Sequence, residues 1–282
     1  MPPDEILYSP ALLAVLGLCI GSFLNVVVHR LPLMLERGWR EESAELLGVA
    51  VPETPPITLA TPRSRCPSCG HAIAWYENIP LASWLWLRGR CSACKTRISA
   101  RYPVVEVATA ALFAAIAWRF GAVPTTLLWC GFAAVLLAAA LIDFDTQLLP
   151  DILTQPLLWA GIIAAARGWI PVSLAASVGG AVVGYLSLWS IATLYRVIRG
   201  HEGMAAGDFK LLAALGAWMG WQTIPLIVLL SSAVGAVVGL AMIVFRHHDR
   251  KVPIPFGPYL AGGGIAAMFF GDLLMRLWLP RA

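Results

Sequence analysis

The stretch LIDFDTQLLPD, residues 141–151, decides how the rest of the chain is organised. It ends one long apolar run, begins the next, and carries three carboxylates where a membrane helix would leave the bilayer. A carboxylate at membrane depth costs about 2.5–3.5 kcal/mol on insertion scales, so an acid placed there indicates a function. A further acid, Asp208 in GMAAGDFK (residues 203–210), stands at the mouth of a later apolar segment. Two carboxylates that meet can share a proton, one acting as base and the other as acid.

The composition predicts a membrane protein. The chain has 282 residues, of which 59% are hydrophobic and 13% charged, and its mean hydropathy is +0.75. A soluble domain would carry about 25% charged residues. Eight apolar segments approach the length that spans a bilayer: 10–28, 103–120, 125–142, 152–166, 172–195, 209–221, 223–245 and 256–279. We therefore expect an all-α polytopic membrane protein with about eight transmembrane helices, the first retained because no small-residue cleavage site follows it.

The distribution of lysine and arginine predicts the orientation. With eight spans, sixteen of the twenty Lys and Arg residues lie on the side of the large polar loop 29–102, and four lie on the other. Without that loop the ratio is still six to four. Cytoplasmic loops carry the positive excess, so we expect this loop to be cytoplasmic. Asp143 and Asp208 then both come to the cytoplasmic membrane surface, which supports one joint site.

Four cysteines in the large loop form two CxxC pairs, in CPSCG (residues 66–70) and CSACK (residues 91–95). This spacing is typical of a zinc-ribbon-like tetrathiolate site. A cytoplasmic location favours a metal over disulfides, although a redox pair without metal is the alternative. The predicted ligands are Cys66, Cys69, Cys91 and Cys94. Four sulfur ligands leave no open position on zinc, so its role would be structural. Cys19 and Cys130 are expected to be packing residues.

Other polar positions in the first half of the chain need partners. Asn25 lies within an apolar run, where it either bonds to another helix or forms a polar wall of a ligand site. Glu106 lies just inside the second apolar segment and needs a cation, for which Arg30 or Arg101 is available.

Two stretches of the large loop have their own expectations. Residues 34–48 read as a short, separate amphipathic helix that follows the first membrane helix. The aromatic-rich stretch between the cysteine pairs, residues 75–86, either lies at the membrane interface or covers the metal site.

Taken in order, these motifs resemble the type IV prepilin peptidases, the leader peptidase/N-methyltransferases of type IV pilus and type II secretion systems. The resemblance covers nearly the whole chain, from GSFLNVVVHRLP at 21–32 to GDFKLLAALGAW at 207–218. The family's first peptidase motif, an Asp followed after five residues by Leu or Ile and then Pro, selects Asp143 with Pro150. The second motif, Gly-x-Gly-Asp, reads AAGD here.

The second motif implies Asp208 as the other catalytic acid, supported by Gly207 and Lys210. The chain departs from the motif at Ala205, where the family has glycine. The backbone freedom at positive φ, or the close backbone approach, that glycine would give is therefore in question at that position.

The resemblance also implies what the chain does. The family cuts a basic leader from prepilins and pseudopilins at the cytoplasmic face of the bacterial inner membrane. It then methylates the new N-terminus with S-adenosylmethionine, and no nucleic acid is involved. The expected division is a first helix (1–29), a cytoplasmic domain linked to methyl transfer (30–102) and a peptidase domain (103–282). Residues implied near the methyl-transfer step are Gly89, Asn25, Arg30 and Glu106.

Two other kinds of protein fit the residues without the resemblance. One is an assembly protein with a zinc-ribbon platform and structural carboxylates. The other is a transporter that uses acids as a proton relay, but such acids lie in mid-bilayer and not at one face.

Overall fold

The computed structural model describes residues 6–50, 55–246 and 254–278, and within these ranges the chain is helix and loop without a β-strand. Each of the eight predicted apolar segments contains a helix within the described residues, which confirms the all-α membrane fold. Five helices in the described part are long and apolar enough to cross a membrane: Pro10–Leu47, Arg101–Phe120, Thr126–Thr146, Leu174–Arg199 and Trp221–Met242. The chain divides into two compact units, one up to Ala134 and one from Val135 onward.

The first unit is built on two long helices, α1 (Pro10–Leu47) and, beyond the short α2 (Ala82–Trp86), α3 (Arg101–Phe120). Glycines on α1 let the helices approach closely. A Cβ on Gly17 would lie 2.7 Å from the Cα of Ala110, and the small-residue contact is the kind that joins membrane helices.

The prediction of a separate helix at 34–48 is wrong, because α1 continues through Pro32 to Leu47. A proline removes one helical hydrogen bond, but good helix formers such as Leu, Met, Glu and Arg surround this one. An i,i+4 ion pair between Arg37 and Glu41 (2.6 Å) supports the continuation. The helix ends at Gly48, whose φ of +65° lets its N–H bond back to carbonyls of the last turn. Since about 20 residues span a bilayer, the last part of this 38-residue helix lies outside it.

Helix α4 (Thr126–Thr146) begins in the first unit and ends in the second. The second unit continues with five more helices, in order α5 (Asp151–Ala166), α6 (Leu174–Arg199), α7 (Ala206–Met219), α8 (Ile224–Arg246) and α9 (Gly257–Trp278).

Helix α7 lies at the centre of this unit, and nearly every residue from Asp208 to Trp218 is buried. On α6, Gly180 faces Gly216 so closely that a Cβ on either would overlap the other's carbonyl group. The Ser177 hydroxyl donates to the carbonyl of Ala217 (2.6 Å). The Trp218 indole donates to a carbonyl of α5 (2.8 Å). Helix α7 is therefore fixed from several sides, and its first turn carries Asp208.

Candidate active site and metal centre

Asp143 stands in the last turn of α4 and is 5% exposed. The helix ends directly after it, where the N–H of Gln147 donates to the Asp143 carbonyl (2.8 Å). Gln147 has a φ of +56°, the left-handed conformation that commonly closes helices. The chain then turns at Pro150, which caps α5. The neighbouring acid Asp145 is exposed and does not belong to the buried site.

Asp208 lies in the first turn of α7 and is also 5% exposed. The two acids interact electrostatically, so the structure brings the predicted pair together within the second unit. Both carboxylates are therefore buried, one where α4 ends and the other where α7 begins.

The residues before Asp208 explain the departure from the family motif. Ala205 has φ −78° and ψ 147°, an extended conformation that any residue adopts, and its side chain is exposed. By contrast, a Cβ on Gly207 would lie 2.6 Å from the Cβ of Leu149. Close packing of the two aspartate motifs therefore requires glycine at 207 and does not require it at 205.

A third segment reaches the acids and was missed by sequence reasoning. The backbone N–H of Gly257, the first residue of α9, donates to Oδ2 of Asp143 (2.8 Å). The only signal in the sequence is the Pro-rich stretch PIPFGP at 253–258, which reads simply as the start of a helix.

Lys210 and Asp151 join the two motifs on their exposed side. The Lys210 ammonium lies 2.7 Å from both carboxylate oxygens of Asp151. Asp151 is in the first turn of α5, where a carboxylate is favoured by the helix dipole. The ion pair therefore connects the start of α5 to the first turn of α7.

The four predicted metal ligands do come together in the first unit. Their sulfur atoms all lie within 4.8 Å of one another, and those of Cys66 and Cys94 are 3.7 Å apart. Tetrahedral zinc with Zn–S bonds of about 2.3 Å separates its sulfurs by about 3.8 Å, so the cluster has the right size. Hydrogen bonds with the side chain and backbone of Thr96 lower the pKa of the Cys94 thiol to about 6. The hydrogen bond with the Cys94 sulfur in turn raises the pKa of the Cys69 thiol to about 11, so the four sulfurs share their protons unequally, and a metal binds them as thiolates.

A polar network braces the two cysteine turns. His71 Nε2 lies 3.2 Å from Oε2 of Glu77 and 3.2 Å from the hydroxyl of Ser92, between the second pair of cysteines. The hydrogen bonds with Ser92 and the Ala74 N–H lower the pKa of Glu77. Glu77 therefore stays ionised and holds this network at neutral pH.

Three aromatic side chains between the cysteine pairs are exposed in the structure. Trp75 and Trp86 are 76% and 78% exposed, and Tyr76 is exposed as well. Both expectations for this stretch, a location at the membrane interface and a cover over the metal site, stay predictions.

The residues expected near methyl transfer hold the loop to its helices. Arg30 donates to the carbonyls of Thr58 (2.9 Å), Leu59 (3.3 Å) and Pro62 (2.7 Å). Of the two cations expected as partners for Glu106, Arg30 therefore bonds to backbone carbonyls and not to Glu106.

Glu106 instead accepts a hydrogen bond from the backbone N–H of Leu81 (2.7 Å). The Asn25 amide donates to the carbonyl of Tyr102 on α3 (3.2 Å), which is the interhelical bond expected for it. Gly89 has a φ of +65°, and a Cβ there would lie 2.8 Å from the Trp84 ring. Glycine is therefore required at position 89 both by the backbone and by the space.

The fold and the site together define an α-helical membrane protein with a buried pair of aspartates and a separate four-cysteine centre. The family model described as "Bacterial Peptidase A24 N-terminal domain" matches residues 15–120, and "Type IV leader peptidase family" matches residues 130–240. A prepilin leader peptidase/N-methyltransferase of Pseudomonas putida is 53% identical over 94% of this chain and 92% of its own length. One from Stutzerimonas stutzeri is 50% identical over 100% and 99%. No solved structure matches. The chain belongs to the type IV leader peptidase family.

Proposed function

We propose that this chain removes the leader peptide from prepilins and pseudopilins and methylates the N-terminus that the cut exposes. Relatives that align along more than nine-tenths of both chains carry the name of this double activity. The single observation that carries the peptidase half is the buried, interacting pair Asp143 and Asp208. The products would serve type IV pilus assembly and type II secretion.

The peptidase step needs only the two carboxylates and water. One ionised carboxylate takes a proton from water, which attacks the scissile carbonyl carbon. The other carboxyl group, protonated because two buried charges cannot lie side by side, donates to the carbonyl oxygen. Collapse of the tetrahedral intermediate then breaks the C–N bond, and the leaving amine takes up a proton. This amine is the group that the second activity methylates.

The location that we propose is the cytoplasmic face of the bacterial inner membrane. The excess of lysine and arginine on that side supports it. A basic leader would remain in the cytoplasm while the apolar helix of the prepilin lies in the lipid.

The four cysteines fit a structural zinc ion. Such an ion would be held by Cys66, Cys69, Cys91 and Cys94, would stabilise the loop by joining the two pairs, and would leave no open position for catalysis. S-adenosylmethionine is the donor that a methyltransferase of this kind uses. We assign Gly89, Asn25, Arg30 and Glu106 to this half of the reaction as residues that fix the loop, because their contacts are with backbone groups and a tryptophan ring.

The test is a reaction of the purified protein in detergent with a prepilin and S-adenosylmethionine, read by intact mass. We expect loss of the leader and gain of one methyl group. Asp143→Asn and Asp208→Asn should each abolish cleavage, whereas Asp145→Asn, the exposed neighbour, should leave it within about twofold of wild type. Normal processing by either of the first two variants rules out the pair. No cleavage by wild type of a cognate prepilin favours an assembly protein instead.

A further inference from the structure

We propose that Gly257 is a positioning residue of the peptidase: its backbone N–H fixes Oδ2 of Asp143 and leaves Oδ1 as the oxygen that handles the proton of water. This inference rests on the proposed function of the aspartate pair. It concerns the start of α9, a part of the chain that lies 114 residues beyond Asp143.

The start of α9 offers few donors, and the sequence explains why. Pro255 and Pro258 have no N–H group. The N–H groups of Tyr259 and Leu260 both bond to the carbonyl of Phe256 (3.1 Å each). Gly257 thus stands between two residues of this turn, Phe256 and Pro258, with its own N–H directed out of the helix and onto the Asp143 carboxylate (2.8 Å). The donor of this contact is a backbone group, whose position is set by the fold of the second unit.

Space, and not backbone conformation, requires glycine at this position. A Cβ on Gly257 would lie 2.7 Å from Oδ2 and 3.1 Å from Cγ of Asp143. Carbon and oxygen atoms do not approach so closely without a bond, so alanine would push the carboxylate away. Space also requires glycine at position 207, next to Asp208. There an added Cβ would meet the apolar side chain of Leu149.

The hydrogen bond gives the two carboxylate oxygens of Asp143 different roles. A backbone N–H at the N-terminus of a helix stabilises a negatively charged acceptor. Oδ2 is therefore the oxygen that carries charge and does not carry a proton. The proton that Asp143 gains from water, or holds before the reaction, lies on Oδ1. In the described part of the chain, Asp208 is the titratable group that interacts with Asp143.

The matched variants are Gly257→Ala and Gly262→Ala. Both add one methyl group to α9, but Gly262 is exposed and has no atom within 4 Å of the added Cβ. We expect Gly257→Ala to lower kcat for prepilin cleavage at least tenfold with little change in KM. The acidic limb of its pH profile should move upward by roughly one pH unit, because the ionised carboxylate loses its donor. Gly262→Ala should match wild type in both.

The outcomes separate this inference from the function on which it rests. If wild type and Gly262→Ala do not cleave prepilin, the proposed function fails. If they do and Gly257→Ala cleaves equally well with an unchanged pH profile, the positioning role is wrong.

A second measurement does not depend on the folding of Gly257→Ala. Hydrogen–deuterium exchange in a peptide covering 254–260 should be faster in Asp143→Ala than in wild type, because the Gly257 N–H loses its acceptor. Asp208→Ala should not change it. Equal exchange in wild type and Asp143→Ala overturns the inference.

Discussion

Gly207 is the residue at which the two aspartate motifs touch. Gly207 packs against Leu149, the residue before Pro150, which caps α5. The contact leaves no room for a methyl group at position 207. Ala205, two residues earlier, is exposed and has an ordinary backbone conformation. The two positions of the family's glycine motif therefore do different things in this chain.

We expect Gly207→Ala to reduce prepilin cleavage strongly and to lower the free energy of unfolding by about 1–3 kcal/mol, the usual effect of overpacking. Ala205→Gly should change cleavage by no more than about twofold, because neither space nor φ demands glycine there. Initial rates of leader removal and thermal unfolding in detergent measure both effects. A gain of tenfold in Ala205→Gly would show that the backbone at 205 limits turnover.

The ion pair of Lys210 and Asp151 is close but partly exposed, with side chains 27% and 59% accessible. Exposed pairs contribute about 0–1 kcal/mol, so this one has little weight in stability. The ion pair instead helps to orient the two helices, because it links the start of α7 to the first turn of α5. Sequence alone placed Lys210 near the site but not with Asp151, since their contact depends on how α5 and α7 pack.

At the scale of helices, α6 and α7 form the closest contact of the second unit. Gly180 and Gly216 meet backbone to backbone, and Ser177 adds a hydrogen bond to the α7 carbonyl of Ala217. Such glycine contacts replace the hydrophobic effect, which does not act between helices in lipid. The position of α7, and with it Asp208, depends on this contact.

Gly180→Ala should therefore destabilise the protein, because its Cβ would lie 2.7 Å from the carbonyl carbon of Gly216. We expect a fall of several degrees in Tm, equivalent to about 1–3 kcal/mol. Gly179→Ala is the matched control, since its Cβ meets only a Trp221 ring atom at an ordinary 3.7 Å. Thermal unfolding of the two variants in the same detergent gives the comparison, and equal Tm values would show that α6 and α7 can separate without cost.

Across the whole molecule, the two predicted chemistries fall in different units. The cysteine centre lies in the unit up to Ala134, and the contacts of Asp143 and Asp208 lie in the unit from Val135 onward. The two family models follow nearly the same division.

Cys66→Ser and Cys91→Ser should each lose bound zinc and methyl transfer while leader cleavage continues. The reason is that no cysteine is among the described contacts of the aspartates, whereas four thiolates are needed to hold a tetrahedral ion. Elemental analysis and intact product mass give the two readouts. Cys19→Ser, outside the cluster, is the control. Unchanged zinc content in the first two variants would contradict the four-cysteine site, and lost cleavage would contradict the independence of the two halves.

The sequence predicted functional side chains better than it predicted functional backbone groups. Asp143, Asp208 and the four cysteines were recognisable because their side chains are costly or unusual where they stand. Gly257 was not, since it acts through a backbone N–H that every residue except proline possesses. The separate helix at 34–48 was expected because the chain becomes polar there, yet α1 continues into it, since the single hydrogen bond lost at Pro32 does not outweigh the good helix formers on both sides. A cation beside Glu106, either Arg30 or Arg101, was expected from charge alone, yet Glu106 accepts from the backbone N–H of Leu81 and Arg30 bonds to backbone carbonyls.

The length of α1 has a mechanical consequence. Thirty-eight residues make a rod of about 57 Å, of which roughly 30 Å matches the hydrocarbon core. About 25 Å of helix, continuing through Pro32, thus extends beyond the bilayer. A change of 10° in the tilt of this outer part would move its end near Leu47 by roughly 4 Å. The packing partners that hold the tilt of α1 therefore also determine where the loop that carries the cysteines begins.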